Sequence, residues 1–450
     1  MIAPHAQFRA SRRFLNSRLY YGLIVVALWG APDAAAQGAA SAPLTLRALL
    51  DTVATSHPLL RAAQARTRAA QGDRTAAGAF GNPMLSVQVE NTPFPGGKTV
   101  AGLDRETMTM ATLPLEFLYQ RGPRVRSANA TVRAAEADAA GARQRVAMDA
   151  AAAWYRTALA QVGVATARDL TAWLDTLVAY NAARAPEGAI AEVDHLRAAL
   201  ERDRMAADAT MQEAELARAR AALSALLGDP RRARSLPSVA VTNDLLIYST
   251  GAGESSVSVL EQRPEVRAAR GRLDASSAAV SAERSMLVRQ LGATIGSKQM
   301  MGTTSMIAGL SLPLPLFDLN RGQQARATAE RDAAASELEA QERSAAADIL
   351  GAQEVARLLT DRAGTLAGGG ETSFLARADE ARRIALGAYR EGAVPLLQVL
   401  DAARAWGEAR MTFYRTLYAQ HESIIALQAA QGIDLFTNLP VPAALAVPNR

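Results

Sequence analysis

Few residues in this chain have the types and spacing that catalysis or metal binding requires. Cysteine is absent from all 450 residues, which excludes disulfides, thiolate metal sites and cysteine nucleophiles. Beyond the N-terminal segment the histidines are His57, His195 and His421, which lie far apart and have no potential metal ligand four residues further along. We therefore expect these histidines to be solvated or packed.

Two further motifs are weak signals of ligand binding. Met300, Met301 and Met306 are soft-metal ligands by type, but they lie near a predicted strand, where methionines are more often lipid-facing or loop residues. Gly97-Lys98-Thr99 matches the end of a phosphate loop, yet residue 92 is threonine and no strand-to-helix context follows. The sequence therefore predicts no metal site, no cofactor and no enzyme activity.

The first 36 residues have the pattern of a secretory signal peptide. Several arginines precede an apolar run from Leu19 to Trp29, which is too short to span a bilayer, and Ala34-Ala35-Ala36 follows. Removal of residues 1–36 takes away four arginines and one aspartate, so the formal net charge falls from +5 to +2. Because the remaining charges of both signs are interspersed, nucleic-acid binding is not predicted.

The elements that would position a functional residue occur twice. Glu187-Gly188-Ala189-Ile190 matches Glu391-Gly392-Ala393-Val394, and LPLEFLYQRG at 113–122 matches LPLFDLNRG at 314–322. The period is roughly 200 residues, far longer than the 20 to 50 residues of solenoid repeats. The sequence therefore predicts a duplicated chain whose two halves lie side by side.

Each half has the pattern of a helix, a β-hairpin and a long helical hairpin. The predicted layout is a signal peptide at 1–36, a first repeat at 44–228, a linker at 229–257, a second repeat at 258–434 and a flexible tail at 435–450. The β-hairpins are predicted at 84–115 and 290–315, and the tips of the helical hairpins at 185–190 and 390–395.

The second helical hairpin carries the clearest periodic signal. From Leu396 onward one seam has positions alternately three and four apart, the pattern of a helix that lies along another helix. The seam consists of Leu396, Val399, Ala403, Trp406, Arg410, Phe413, Leu417, Gln420, Ile424 and Leu427. Gly392 can end the preceding helix and Pro395 can begin this one, because glycine readily leaves helical geometry and proline fits the first turn.

The alternating segments predict strands whose length suits a bilayer. Leu85, Val87 and Val89 alternate with polar residues, and each strand has about nine residues, close to the 9–11 that a tilted strand needs to cross a bilayer. Lys98 and Lys298 fall in the two predicted strand-to-strand loops. Because an open sheet leaves edge groups unpaired in lipid, we expect closure with strands of other copies and a helical tube that continues the barrel.

Aromatic residues follow the predicted strands. Phe117, Tyr119 and Phe317 lie where strands pass back into helices, as an interfacial aromatic girdle would require. Three aromatic residues near strand ends also occur by chance, so the alternative stays open.

The order of these elements and their junctions resemble those of the outer membrane efflux proteins, the TolC-like family. The resemblance covers about residues 44–434 and is carried by the two repeated tips, by Val399-Leu400-Asp401-Ala402 and by Pro315-Leu316-Phe317 leading to Asn320-Arg321-Gly322. Gly81-Asn82-Pro83, and Leu115-Glu116 before Arg121-Gly122, are similar to the subgroup that serves heavy-metal cation efflux.

This resemblance implies a mainly α fold with a small β part. Three copies would form a periplasmic α-barrel and a twelve-stranded transmembrane β-barrel, with four strands per chain, in the outer membrane lipid of a Gram-negative bacterium. The chain would be a passive exit duct, supplied by an inner-membrane pump of the resistance-nodulation-division type. A periplasmic adaptor, or membrane fusion protein, would dock on the tips around Gly188, Gly392 and Pro395.

The resemblance also indicates which residues would narrow the pore. In the family, aspartates near the second tip do so; Asp401 matches one such position, and the other is Gln398 here. Asp194 is equivalent to Gln398 in the first repeat. A carboxylate ring at a constriction attracts cations. The alternative for Asp401 is a solvated acid that the helix dipole favours near a helix start.

A second class of protein also fits long helical hairpins. A periplasmic coiled-coil scaffold or adaptor would have no membrane-spanning part. An adaptor, however, is expected to have one hairpin flanked by small β domains, whereas this chain has two hairpins with strands opposite the tips. Detergent-dependent trimers in the outer membrane would favour the channel, and a soluble periplasmic monomer would favour the scaffold.

Overall fold

The computed structural model describes residues 42–97, 104–188, 190–246, 256–286, 291–312, 314, 316–368 and 373–440. The α-helices are α1 (Leu46–Ser56), α2 (Pro58–Gly78), α3 (Arg121–Arg184), α4 (Glu192–Leu226), α5 (Ser256–Gln262), α6 (Pro264–Ser285), α7 (Arg321–Ala367), α8 (Phe374–Arg390) and α9 (Leu396–Ala430). The strands are β1 (Met84–Glu90), β2 (Glu106–Pro114), β3 (Gly292–Met300) and β4 (Thr303–Ser311). The predicted signal peptide and Lys98 lie outside the described residues.

The four strands form one antiparallel sheet in the order β1-β2-β3-β4. Its central pairing joins the two halves of the chain, since β2 comes from the first half and β3 from the second. The hydroxyls of Thr112 and Thr294 are 3.0 Å apart across this pairing. Among the described residues, β1 and β4 each pair on one side only, so the sheet has two open edges.

The helices repeat the lateral order of the strands. Close to the sheet, α2 packs on α3, α3 on α6, and α6 on α7. Towards the tips, α4 packs on α3, α3 on α9, and α9 on α7 and α8. The described chain is therefore a wall with four lateral positions: β1, α2 and α4 at position 1; β2 and α3 at position 2; β3, α6 and α9 at position 3; β4, α7 and α8 at position 4.

Small residues let the middle positions of this wall approach closely. A Cβ atom built on Gly271 of α6 would lie 2.9 Å from both the Cβ and the backbone nitrogen of Ala134 on α3. Real Cβ atoms do not approach backbone atoms that closely, so glycine is required for this contact. The alanine-rich composition thus serves close packing of helices rather than a bulky core.

The seam predicted on α9 is confirmed. Its apolar members are all buried, from Leu396 to Leu427. The two polar members are satisfied by specific contacts: Arg410 donates to Asp169 at 2.7 Å, and Gln420 donates to the carbonyl of Leu246 at 2.9 Å. None of the described helices has both the length and the apolar stretch that crossing a membrane requires.

The segment between the halves is held against the wall by glutamine side chains, which form hydrogen bonds with its backbone as a neighbouring strand would. Gln161 of α3 donates to the carbonyl of Val239 at 3.1 Å and accepts from its backbone nitrogen at 2.8 Å. Gln420 of α9 accepts from the backbone nitrogen of Leu246 at 3.3 Å. Leu44 and Val239 also form a parallel bridge. The predicted linker is therefore a fixed part of the fold where it is described.

Three sequence-based expectations about local structure were wrong. The first predicted helix is two helices, because His57 before Pro58 takes an extended conformation. Lys298 lies inside β3 rather than in a loop, since a turn at Met301 and Gly302, both with positive φ, is enough to join β3 to β4. The tail was predicted to be flexible from residue 435, but Leu435 and Phe436 are buried in the main core cluster.

The close contact at Gly271 predicts a large effect from one methyl group. Gly271→Ala should lower the free energy of unfolding by about 1–3 kcal/mol, because the added carbon overpacks against the Ala134 backbone. Gly72→Ala is the matched control, since no atom lies within 4 Å of a Cβ at that helical position, and helix propensity favours alanine by up to about 1 kcal/mol. Thermal unfolding of the two purified variants checks this; a loss of equal size in both would contradict the packing argument.

Candidate pore-lining stripe and hairpin tips

Both helical hairpins turn at a glycine with positive φ. Gly188 has a φ of 69° and Gly392 a φ of 77°, a conformation that a side chain disfavours. At the second tip the backbone nitrogen of Gly392 donates to the carbonyl of Tyr389 at 3.0 Å, and the backbone nitrogen of Ala393 donates to the carbonyl of Ala388 at 2.8 Å. These bonds cap the end of α8, and Pro395, in extended conformation, then precedes α9.

One narrow stripe of α9 stays exposed from the tip to Arg415. Apart from Leu397, the exposed residues of this part of the helix follow spacings of three and four: Gln398, Asp401, Ala405, Glu408, Thr412 and Arg415. The rest of the helix surface is largely covered by α3, α7 and α8. Gln398 and Asp401 therefore share one polar surface, and the Asp401 side chain is 61% exposed.

Asp194 lies on the other hairpin and has a different environment. It sits in the first turn of α4, where the helix dipole favours a carboxylate, and its side chain is 31% exposed. Burial raises the pKa of Tyr389, and the charge of Asp194 raises that pKa further. Asp194 therefore lies close enough to Tyr389 to act on it across the two hairpins.

Polar contacts join the hairpins near their tips. The Tyr389 hydroxyl of α8 donates to Oδ1 of Asn181 on α3 at 3.0 Å, and Asn181 is completely buried. The Tyr180 hydroxyl makes a longer, exposed contact of 3.4 Å to the carbonyl of Arg390. Because a buried amide that loses its partner is expensive, the Tyr389 bond is the stronger of the two links.

The two faces of the sheet differ in chemistry. Strand pairing aligns Leu85, Ala111, Ile295 and Ala308 in one row across all four strands, so they share a face. That face carries large exposed side chains such as Met306, at 77%, and no charged residue among the strand positions described.

The opposite face carries all the charges of the described strands. Glu90 pairs directly with Glu106 across β1 and β2, and Lys298 forms an ion pair with Glu106. Because Lys298 adjoins this acidic pair, it offsets the repulsion between two carboxylates that face each other across the strands.

Comparison with known proteins shows similarity to outer membrane efflux proteins. Residues 256–433 match the outer membrane efflux protein family. The chain is 28% identical over 397 residues to the cobalt-zinc-cadmium resistance protein CzcC of Cupriavidus metallidurans, which covers 87% of this chain and 91% of the relative. The nickel and cobalt resistance protein CnrC of the same organism is 29% identical over 329 residues, or 69% of this chain and 72% of that protein.

A solved structure has the same fold. A crystal structure of CusC, studied for folding and transmembrane channel formation, superposes with a TM-score of 0.73 at 21% identity, covering 86% of this chain and 92% of that one. The chain is therefore similar to the outer membrane efflux protein family, and residues 256–433 match the model of that family. The predicted resemblance to this family and to its heavy-metal subgroup is thereby confirmed, as is the mainly α fold with a small β part.

The aromatic residues predicted for a membrane interface have unequal surroundings. Phe317 is 99% exposed, whereas Phe117 packs edge-on against Phe80 with ring centroids 5.3 Å apart. Phe80 is itself 64% exposed and was missed, because it precedes β1 and no period marks it. The Tyr119 hydroxyl is buried, so Tyr119 does not fit a girdle residue that offers its polar end to the interface.

The histidines and methionines do not come together. His57 accepts from the backbone nitrogen of Leu59 at 3.3 Å, and burial lowers the pKa of His421 to about 4. Met300 and Met306 point to opposite faces of the sheet, as the pairing register requires. Within the described parts of the chain, no group of three or more histidines and carboxylates is arranged to hold a metal ion.

The link between Asn181 and Tyr389 predicts how firmly the tips are held. Tyr389→Phe leaves the buried Asn181 oxygen without its partner and should weaken the contact between the hairpins by about 1–3 kcal/mol. Trypsin should then cleave faster after Arg184 and Arg390, which flank the two tips. Tyr180→Phe is the control, since its hydroxyl contact is long and exposed. Equal cleavage rates for the two variants would show that the Asn181 bond does not hold the tips.

Proposed function

We propose that this protein is the outer membrane channel subunit of a tripartite efflux system. Three copies form a passive exit duct for substrates delivered by an inner-membrane pump of the resistance-nodulation-division type and a periplasmic adaptor. The observation that carries the proposal is the wall with two open edges, because its strands and helices share one lateral order and none of its levels closes on itself.

The direction of the strands favours closure with further copies. Neighbouring strands are antiparallel throughout the sheet, so β4 runs antiparallel to β1. The open edge of β4 can therefore pair with the open edge of β1 from another copy, and the pattern continues around a ring without a mismatch. Such head-to-tail contacts give closed rings when the rotation returns to the start.

The strand count limits the number of copies. Two copies would give eight strands, and the interior of an eight-stranded barrel is filled by side chains or one small ligand. Three copies give twelve strands and room for an open lumen. In that ring the uncharged face of the sheet would meet lipid, and the face with Glu90, Glu106 and Lys298 would line the lumen.

The helices at the two lateral edges also favour contact with further copies. The outermost helices, α4 at position 1 and α7 and α8 at position 4, expose large apolar side chains in the single chain. These are Val193, Leu196, Leu200, Met211, Leu350, Val355, Leu358 and Ile384, each at least 49% exposed. Apolar surface at both lateral edges is the pattern of an interface between copies, and it continues the open edges of the sheet.

The remaining parts of the proposal rest on similarity and on the tips. CzcC and CnrC are named for resistance to metals, which supports heavy-metal cations as cargo. The tips at Gly188, Gly392 and Pro395 lie at the far end of the hairpins from the strands, so they are our candidates for adaptor docking.

We assign no catalytic activity. A periplasmic scaffold without a membrane part fits less well, because it would leave the uncharged face of the sheet in water.

Disulfide scanning tests the closure of the ring, since the chain has no cysteine of its own. We expect Val87→Cys on β1 to form a disulfide with a cysteine at Met306, Ala308 or Leu310 on β4 of the next copy. All these positions share the uncharged face, so one register should give covalent trimers on a non-reducing gel. Ile307→Cys is the control, because it lies between two of these positions but points to the other face. Failure of all three pairs would contradict ring closure.

Conduction tests the duct itself. The purified protein in planar bilayers should form cation-preferring channels, and Asp401→Asn should lower the cation preference, because it removes one carboxylate from each copy at the narrow end. Gln398→Glu should act in the opposite direction. If neither substitution changes the cation preference, Asp401 and Gln398 do not line the constriction. If the protein forms no conducting channel at all, the proposed channel function is wrong.

A further inference from the structure

A buried carboxylate links the two helical hairpins. Glu201 of α4 is only 8% exposed, and it accepts two hydrogen bonds from Arg404 of α9. The Nε of Arg404 lies 2.8 Å from Oε1, and Nη2 lies 2.7 Å from Oε2. This two-pronged geometry is the strongest that arginine and a carboxylate form, and it satisfies a charge whose burial would otherwise be costly.

Arg404 lies near several carboxylates but forms its short hydrogen bonds with only one of them. Its Nη1 is 3.5 Å from Asp401, whereas both shorter bonds go to Glu201. The hydrogen bond to Glu201 is the main cause that raises the pKa of Arg404, and the charges of Asp401 and Glu408 add to it. The same bond lowers the pKa of Glu201. Glu201 therefore competes with Asp401 and Glu408 for a single guanidinium group.

The outcome of this competition determines the charge on the exposed stripe. Asp401 and Glu408 belong to the stripe of α9, and Arg404 lies between them in sequence. Because Glu201 holds the guanidinium towards α4, Asp401 keeps an exposed carboxylate with one long contact rather than a closed ion pair. A carboxylate that is only loosely paired in water presents most of its charge to passing ions.

We propose that Glu201 and Arg404 are a positioning pair that sets the cation preference of the duct. Glu201 withholds Arg404 from Asp401 and Glu408, so that the narrow end stays negative. This inference rests on the proposed function, since it matters only if the α9 stripe lines the pore. Three copies would repeat the effect at one level of the pore.

The arrangement predicts opposite effects from the two partners. Glu201→Gln removes the competing charge, so Arg404 can close onto Asp401, and the ratio of cation to anion permeability should fall about two-fold or more. Arg404→Gln removes the positive charge beside Asp401, so the same ratio should rise. A link that only stabilised the hairpins would be weakened by both variants and would not shift the ratio in opposite directions.

The test is the reversal potential of the purified full-length protein in planar bilayers under a potassium chloride gradient. Wild type, Glu201→Gln, Arg404→Gln and Asp401→Asn are compared, together with the double variant Glu201→Gln/Asp401→Asn. In the Asp401→Asn background, Glu201→Gln should have a much smaller effect, because the main target of the released arginine is gone. Glu213→Gln is the matched control, since its partner Arg168, at 2.6 Å, lies within the same hairpin, and it should leave the ratio unchanged.

The outcomes separate this inference from the proposed function. Channels in which Glu201→Gln leaves the ratio unchanged, or shifts it equally with and without Asp401, would overturn the positioning role while the duct stands. If Glu201→Gln yields no assembled protein, Arg404→Gln decides alone, and a ratio that does not rise overturns the inference. A wild-type protein that forms no channel would overturn both proposals.

Discussion

Unpaired backbone groups at the edge of a sheet are the constraint on which the rest of this structure depends. An edge strand exposes a row of donors and acceptors that lipid cannot satisfy, and the described sheet has such an edge on β1 and another on β4. Soluble proteins protect edges with charges, bulges or covering helices. Here the helices at the same lateral positions as the edge strands expose apolar side chains, so the same lateral contact with another copy would satisfy the backbone and bury the apolar surface.

Duplication of the chain explains why the strands and the helices follow the same lateral order in the wall. Each half contributes one hairpin of strands and one hairpin of helices, and the halves meet through β2 with β3, α3 with α6, and α3 with α9. In the proposed ring, the junction between copies would repeat this internal junction. Polar contacts such as Gln161 with Val239 and Gln420 with Leu246 then fix the segment between the halves against this wall.

The sequence predicted most of this fold because the signals were periodic or repeated. The 3.5-residue seam of α9 and the alternation in β1 each determine one face of one element, and the repeated glycine tips align the halves. Contacts between elements were not predictable in the same way. Glu201 and Arg404 are about 200 residues apart and belong to no period, so only the packing of α4 near α9 brings them together. Leu435 and Phe436 were wrongly predicted to be flexible, because a short segment that packs into a core formed by other elements has no periodic pattern of its own.

The most direct test of the account is hydrogen exchange of the backbone amides of β1 and β4 in the assembled protein extracted in detergent. If copies close into a ring, the outward amides of these two strands should be protected as strongly as those of β2 and β3, because each would pair with a neighbour. Fast exchange confined to the outer edges of β1 and β4 would mean that the sheet stays open, and it would contradict the closed duct.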